Sequence, residues 1–316
     1  MRIAPLRLLA LGFVTLASGV SAYAQDTLRI AVPQRGAWDT AVVELGQRGG
    51  IFKKHGLTLE ILYTQGGPES IQAVISGSMD MAMGVGVSAA VGTYAKGAPI
   101  RIIANEMIGS PDLYWYVKPE SPIKTVADFN GKTVGYSQTG TSSHAALLEL
   151  LRQDNIKAIP TAVGGMSATL PQLMSGQIDV GWAAAPFGLD MVESGKIRVV
   201  ARGTDVAVLR GRTARVNVAG LPLIAKTAVL QRFMKAYRET VVWMYADTVA
   251  LKHFGEFSGL PDSVVRSVRD FIPKEAIVPD VIMGMDEIVA DAVKNKFLTA
   301  PLTPAQITEL VQISKP

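Results

Sequence analysis

The sequence predicts an α/β protein of two similar lobes, each a mostly parallel sheet flanked by helices, with a cleft between them. One unit occurs twice, about a hundred residues apart. In the first copy strand-like Ile30-Ala31-Val32 runs into Gln34-Arg35-Gly36; in the second, Val134-Gly135-Tyr136 runs into Gln138-Thr139-Gly140. Each copy continues with an apolar strand ending in Gly-Gly, at Gly66-Gly67 and Gly164-Gly165. A short helix follows, closed by Ser-Gly-x-apolar-Asp at Ser76–Asp80 and again at Ser175–Asp179. Two copies are too few for a solenoid, so two facing lobes account for the repeat. Strands alternate with helices in both copies, the pattern of parallel sheets. The length of 316 residues provides for two separate cores.

Residues 1–24 stand apart from that fold. Arg2 and Arg7 give a basic start, Leu8–Leu16 an apolar stretch, and Ala22-Tyr23-Ala24 a small-x-small cleavage site. The apolar run is shorter than the ~20 residues a membrane helix needs. It reads as a secretory signal peptide cleaved after Ala24. Loss of the two arginines takes the formal net charge from +4 to +2. No block of Lys and Arg stands out, so nucleic acid is not an expected partner. The chain has no cysteine, which excludes disulfides, a thiolate nucleophile, a zinc–thiolate site and lipidation at a terminal cysteine. With 48% hydrophobic and 18% charged residues the balance is globular. The expectation is a freely soluble monomer in the periplasm of a diderm bacterium.

The first lobe begins with a strand over Thr27–Val32 and a helix over Trp38–Gly46 that Gly49-Gly50 stops, glycine supplying the left-handed residue. Ile51–Gly56 turns the chain into a strand at Leu57–Tyr63. Pro68 opens a helix in its first turn, where a missing N–H costs nothing. Met79–Met83 is the next strand, a short helix runs up to Lys96-Gly97, and Ile100–Ala104 is a further strand. The expected organisation is a first part of lobe one over 25–112 and lobe two over 113–208. Residues 209–316 return to lobe one and end in helices, which makes two hinge crossovers. In lobe two, Val126–Phe129 is a short helix, and His144, Leu147, Leu148 and Leu151 share one helical face. Ile197–Ala201 closes that lobe. Phe233, Tyr237, Val241 and Tyr245 form the apolar face of a later helix packed on lobe one.

Ligands of open parallel sheets sit beyond the carboxyl ends of strands, where helix N-termini present unpaired N–H groups. Four segments qualify: Gln34–Trp38, Gly84–Ser88, Thr139–His144 and Ala183–Pro186. From them and the Gly-Gly turn come the candidate ligand contacts Gln34, Arg35, Trp38, Gly67, Gly86 and Ser88. In the second lobe the candidates are Thr139, Gly140, Thr141, Ser142, Ser143, His144, Trp182, Ala184 and Pro186. Gly140 permits close backbone approach and the hydroxyls around it can donate to an oxyanion or simply cap a helix. Trp38 and Trp182 are either aromatic walls of the site or core residues. Arg35 is a countercharge for a carboxylate or sulfonate, or a surface residue. Arg215 lies in the returning strand, within reach of the hinge.

No metal site, cofactor or catalytic group is expected. His55, His144 and His253 are scattered, and neither an H-E-x-x-H helix nor a G-x-S-x-G elbow occurs. Gly84-Val85-Gly86-Val87-Ser88-Ala89 imitates a dinucleotide fingerprint, with Glu106 about twenty residues on. It follows the third strand, whereas that fingerprint belongs to the first βα turn.

The Gly49–Leu57 turn, the two Ser-Gly-x-apolar-Asp units, the Thr139–His144 turn and Pro186 together resemble a known family. They are similar to substrate-binding proteins of ABC importers in the sulfonate, taurine and nitrate group, which includes thiamine-precursor binders. The likeness covers essentially the whole mature chain. It implies a two-lobed type II periplasmic-binding fold that closes on a small organic acid and docks on an inner-membrane permease. Members often carry an acid before the proline, where this chain has Ala185. A periplasmic sensor that shows its ligand-bound form to a membrane receptor would look the same.

Overall fold

Leu28, Ile30 and Val32 of the strand β1 (Asp26–Pro33) pack into one apolar cluster, and Ala31 between them packs into another. A strand buried on both faces belongs inside a sheet covered on both sides. The computed structural model describes residues 25–314, so the leader and cleavage site expected over 1–24 lie outside the described residues. After β1 come α1 (Val42–Arg48), α2 (Ile51–Lys54), β2 (Leu57–Thr64), α3 (Gly67–Ile75), β3 (Met81–Gly86), α4 (Val87–Ala95) and β4 (Ile100–Ile108). β1 pairs in parallel with both β2 and β3. The left-handed glycine between α1 and α2 is Gly50, at φ 71°.

The chain crosses to a second sheet as β5 (Leu113–Val117). There follow β6 (Thr133–Tyr136), α5 (Ser142–Gln153), β7 (Ile159–Ala162), α6 (Met166–Ser175), β8 (Gly181–Ala184), α7 (Leu189–Glu193) and β9 (Arg198–Arg202). It returns as β10 (Thr213–Gly220). The first sheet runs β2-β1-β3-β10-β4, with β10 antiparallel to both neighbours. In the second, β8-β5-β9 and β6-β7 are joined by a bridge between Val134 and Val180. Read as one run, β7-β6-β8-β5-β9 repeats the first order strand for strand, and here β5 is the antiparallel member. Each lobe thus has one antiparallel strand, and it is the one that arrives from the other lobe. The two crossings lie side by side, with the Gly109 N–H donating to the Arg212 carbonyl at 2.7 Å.

The remainder is helical: α8 (Leu221–Ile224), α9 (Thr227–Ala246), α10 (Thr248–Ser258), α11 (Asp262–Phe271), α12 (Met285–Lys294) and α13 (Pro304–Leu310). Phe233, Tyr237 and Val241 of α9 are buried in the first lobe's core, with Tyr245 half-buried beside them. Val264 of α11 is buried in the second lobe's core, so these helices also brace the hinge.

Three expected boundaries move for identifiable reasons. Residues 38–41 are turns rather than helix, because Trp38 is drawn into the core, where its indole N–H donates to the Tyr245 hydroxyl at 3.0 Å. β3 begins at Met81, not Met79: the Asp80 carboxylate takes the Arg29 amide at 2.8 Å and its guanidinium at 2.7 Å, fixing a turn there. β4 extends past Ala104 through polar Asn105 and Glu106, which pattern alone reads as loop, because β10 pairs along its whole length. On α5 the buried residues are Ser143, Ala146, Leu147, Glu149, Leu150 and Leu151, so of the expected face Leu147 and Leu151 are buried while His144 and Leu148 are only half-buried.

Candidate functional site

The two lobes touch across the cleft, and what remains between them is a cavity of about 60 Å³. Its first-lobe wall includes Gln34, Asp39 and Gly67, and its second-lobe wall Ser142, Ser143 and Trp182. Water occupies roughly 30 Å³ per molecule in the liquid, so the space suits a small headgroup. Helix N-termini converge here as the strand-end rule requires. Gly66-Gly67 opens α3 and Thr141–Ser143 opens α5. Thr141 caps α5, its hydroxyl accepting from the His144 amide at 3.4 Å and donating to the Gln138 carbonyl at 2.7 Å. Ser142 and Ser143 occupy the first turn of α5, where backbone N–H groups have no intrahelical acceptor.

Gln34 joins the lobes. It holds φ 60°, a conformation few side-chain-bearing residues adopt. From there its side-chain oxygen accepts the Met166 amide at the start of α6, at 2.8 Å.

Arg215 anchors the floor of the cavity. Its guanidinium donates to both oxygens of Asp112 at 2.6 and 2.5 Å, to Asp39, and through Nε to the Ser142 hydroxyl at 3.0 Å. One residue of the first sheet thereby grips the hinge, the first lobe and the second lobe. Burial pushes the Asp112 carboxyl up, and the adjacent guanidinium opposes that. Behind Asp39, burial and then the neighbouring Asp39 charge push Glu106 well above the usual carboxylate range. Glu106 turns inward and accepts the Gly84 N–H at 2.8 Å.

Trp182 has a signature of its own. It is 3% exposed and lines the cavity, yet its indole N–H has no hydrogen-bond partner among the described residues. Buried donors are almost always paired.

The structure brings Gln34, Gly67, Thr141, Ser142, Ser143, Trp182 and Ala184 to this cavity. It does not bring the others. Trp38 is fully buried, edge-on to Phe254 and Tyr245, because the core of the first lobe claims its ring. Arg35 points away from the cleft, donating to the Phe257 carbonyl and lying over that ring. Gly86 and Gly140 meet lobe against lobe: a Cβ on Gly86 would lie 2.5 Å from the Gly140 carbonyl oxygen, and one on Gly140 would lie 3.1 Å from the Ala89 Cβ. Their smallness serves the contact between lobes. Ser88 lines a separate cavity beside the hinge, and Thr139 an outer groove. His144 stacks on Tyr136 with ring centroids 4.1 Å apart, and burial lowers its pKa to about 4. Pro186 is buried outside the cavity lining. The Gly84–Ala89 segment leaves no cradle for a pyrophosphate, since Glu106 occupies one amide and lobe two covers Gly86.

Sequence reasoning missed Asp39, Ser137 and Met166, and gave Arg215 only a reach toward the hinge. A hydrophilic Asp-Thr pair just after a tryptophan in an apolar stretch was the available signal for Asp39.

The sequence pattern of the NMT1/THI5-like family matches residues 39–249, well over half of the chain. A protein of Escherichia coli (strain K12) named as an aliphatic sulfonates-binding protein is 30% identical over 228 residues, 67% of this chain and 66% of that protein. The chain therefore spans just under two thirds of that relative's length. The crystal structure of the periplasmic aliphatic sulphonate binding protein SsuA from Escherichia coli superposes with a TM-score of 0.72 at 22% identity, over 92% of each chain. The alkanesulfonate-binding protein SsuA from Xanthomonas axonopodis pv. citri, bound to MOPS, gives 0.75 at 18% identity, over 91% of this chain and 98% of that one. The chain belongs to the NMT1/THI5-like family and has the two-lobed α/β fold of periplasmic binding proteins.

Proposed function

We propose that this chain is the solute-binding component of an ABC importer and not an enzyme. In this reading it works as a monomer in the periplasm and captures a small organic acid, a sulfonate foremost, between its lobes. Hinge closure at Gly109–Asp112 and Gly203–Arg212 then presents a joined surface to an inner-membrane permease. A ligand that contacts both lobes binds the closed arrangement better and so shifts the population toward it.

The observation that carries the reading is the first turn of α5, whose Ser142 and Ser143 line one cavity with Trp182, a tryptophan whose buried indole N–H has no partner among the described residues. An oxyanion would accept from that N–H and from the free amides of Ser142 and Ser143, with the helix dipole favouring its charge. Support for a sulfonate comes from the Escherichia coli relative named for aliphatic sulfonates.

Calorimetric titration of residues 25–316 with short alkanesulfonates and the matching carboxylates tests this. Saturable binding, tighter for sulfonates, is the expected result. Absence of saturable heat with either series would remove the acid-binding reading.

A further inference from the structure

Gln34 and Gln138 open the same segment of the two repeat units, Gln34-Arg35-Gly36 and Gln138-Thr139-Gly140. They follow corresponding strands, β1 in one lobe and β6 in the other. Each side chain crosses between the lobes to the glycine that precedes a helix on the far side. A Cβ on Gly165, before α6, would lie 3.5 Å from Gln34 Oε1, and one on Gly66, before α3, would lie 2.8 Å from Gln138 Oε1. The duplication therefore supplies two bridges, one thrown from each lobe to the other.

Only one of them is fastened. Gln34 Oε1 accepts the Met166 amide, the first of α6, at 2.8 Å, and its Nε2 donates to the Ser137 hydroxyl at 3.5 Å. Gln138 Oε1 is buried with no hydrogen-bond partner among the described residues. The counterpart of Met166 is Gly67, the first residue of α3 and part of the cavity wall. Pro68 follows it and has no N–H, so of the first two residues of α3 only Gly67 can donate. The first amides of a helix lack an intrahelical acceptor, which a side-chain oxygen can supply. A buried acceptor with nothing to accept is rare in a settled fold.

We propose that Gln34 and Gln138 are positioning residues for capture, a pair of latches across the cleft. Gln34 holds the lobes in contact, and Gln138 fastens to the Gly67 amide with the further closure that a bound solute brings. The second bond exists only in the fully closed arrangement, so it favours that state and slows release without touching the solute. This inference rests on the reading of capture between the lobes given above.

The test uses residues 25–316 with two variants. Without solute, Gln34→Ala should enlarge the radius of gyration and speed hydrogen exchange at the Met166 amide by about tenfold, while Gln138→Ala should change neither. With saturating ethanesulfonate, the Gly67 amide should become about tenfold better protected in the wild type, and Gln138→Ala should lose that gain. Ethanesulfonate should also leave Gln138→Ala about tenfold faster, although its melting temperature without solute stays that of wild type. The wild-type Gly67 measurement needs no variant and decides if either one fails to fold. An unchanged radius in Gln34→Ala, or a Gly67 amide that gains no protection or gains it equally in both proteins, would overturn the latches and leave the binding reading in place. No saturable binding of ethanesulfonate by the wild type would overturn the second latch together with the sulfonate reading.

Discussion

Arg215 donates from a strand of the first sheet to both oxygens of Asp112, at 2.6 and 2.5 Å, where the chain is about to enter the second sheet. The pair is buried, with side-chain exposures of 9% and 1%. Removing one member of such a pair strands the other, which costs more than the pair contributes net. Arg215→Met would leave Asp112 and Asp39 without their cation and free the Ser142 hydroxyl. Urea denaturation should show a loss of about 3–5 kcal/mol. A loss below about 1 kcal/mol would mean the carboxylates find other donors or water.

Gly86 and Gly140 predict a different kind of defect. A methyl on Gly86 meets the Gly140 carbonyl at 2.5 Å and the Thr141 Cα at 2.9 Å, both backbone atoms of the other lobe. They cannot step aside without moving α5, so Gly86→Ala should hold the lobes apart. Each lobe keeps its own core, and thermal stability should change little. Ligand affinity should fall by about tenfold or more through the lost closed population. Small-angle scattering should report a larger radius of gyration with ligand present; an unchanged radius and affinity would show that the lobes do not need this contact.

For Trp182 the expected split runs between binding and stability. Its indole N–H makes no bond among the described residues, so Trp182→Phe removes none of their hydrogen bonds while keeping most of the packing. The melting temperature without ligand should stay close to that of wild type. A hydrogen bond to a charged acceptor contributes about 1.5–3 kcal/mol, so the affinity for an acidic ligand should fall by about tenfold or more. A variant that melts much lower yet binds normally would make this tryptophan a packing residue only.

The two lobes and their alternation of strands and helices were readable because duplication leaves the same glycine and Ser-Gly-x-apolar-Asp punctuation in both halves; the shared strand order was not. The α5 turn was readable because hydroxyls and glycine before an apolar helix have few other uses. Trp38 and Trp182 show where local reading stops. They occupy comparable places in the pattern, yet one is claimed by Tyr245 and Phe254, which lie over two hundred residues away in sequence. The Arg215–Asp39–Asp112 network was hidden for the same reason. Its members are far apart along the chain, and nothing beside any of them announces the others. Arg35 was misleading because a charged residue beside a cleft turn can equally lie flat on an aromatic ring, as it does on Phe257.

His144 makes the stability of the second lobe sensitive to acid. Burial, the cause of its lowered pKa, takes the ring from an ordinary 6.5 to about 4 in the fold. Between those values the unfolded chain binds a proton that the folded chain refuses, so stability rises with pH across the window and is lost as pH falls through it. The ring is partly open to solvent, which reduces the effect to on the order of 1–2 kcal/mol. His144→Phe keeps a ring against Tyr136 and removes the titration. It also removes the acceptor for the Gly140 N–H, a bond of 3.2 Å, at a pH-independent cost of about 1 kcal/mol. Wild type should therefore be the more stable of the two near pH 7, and its advantage should shrink or reverse by about pH 4. Denaturation curves for both proteins across that range give the answer. If the difference between them stays constant, His144 is protonated as readily in the fold as outside it, and its stacking on Tyr136 is open to water.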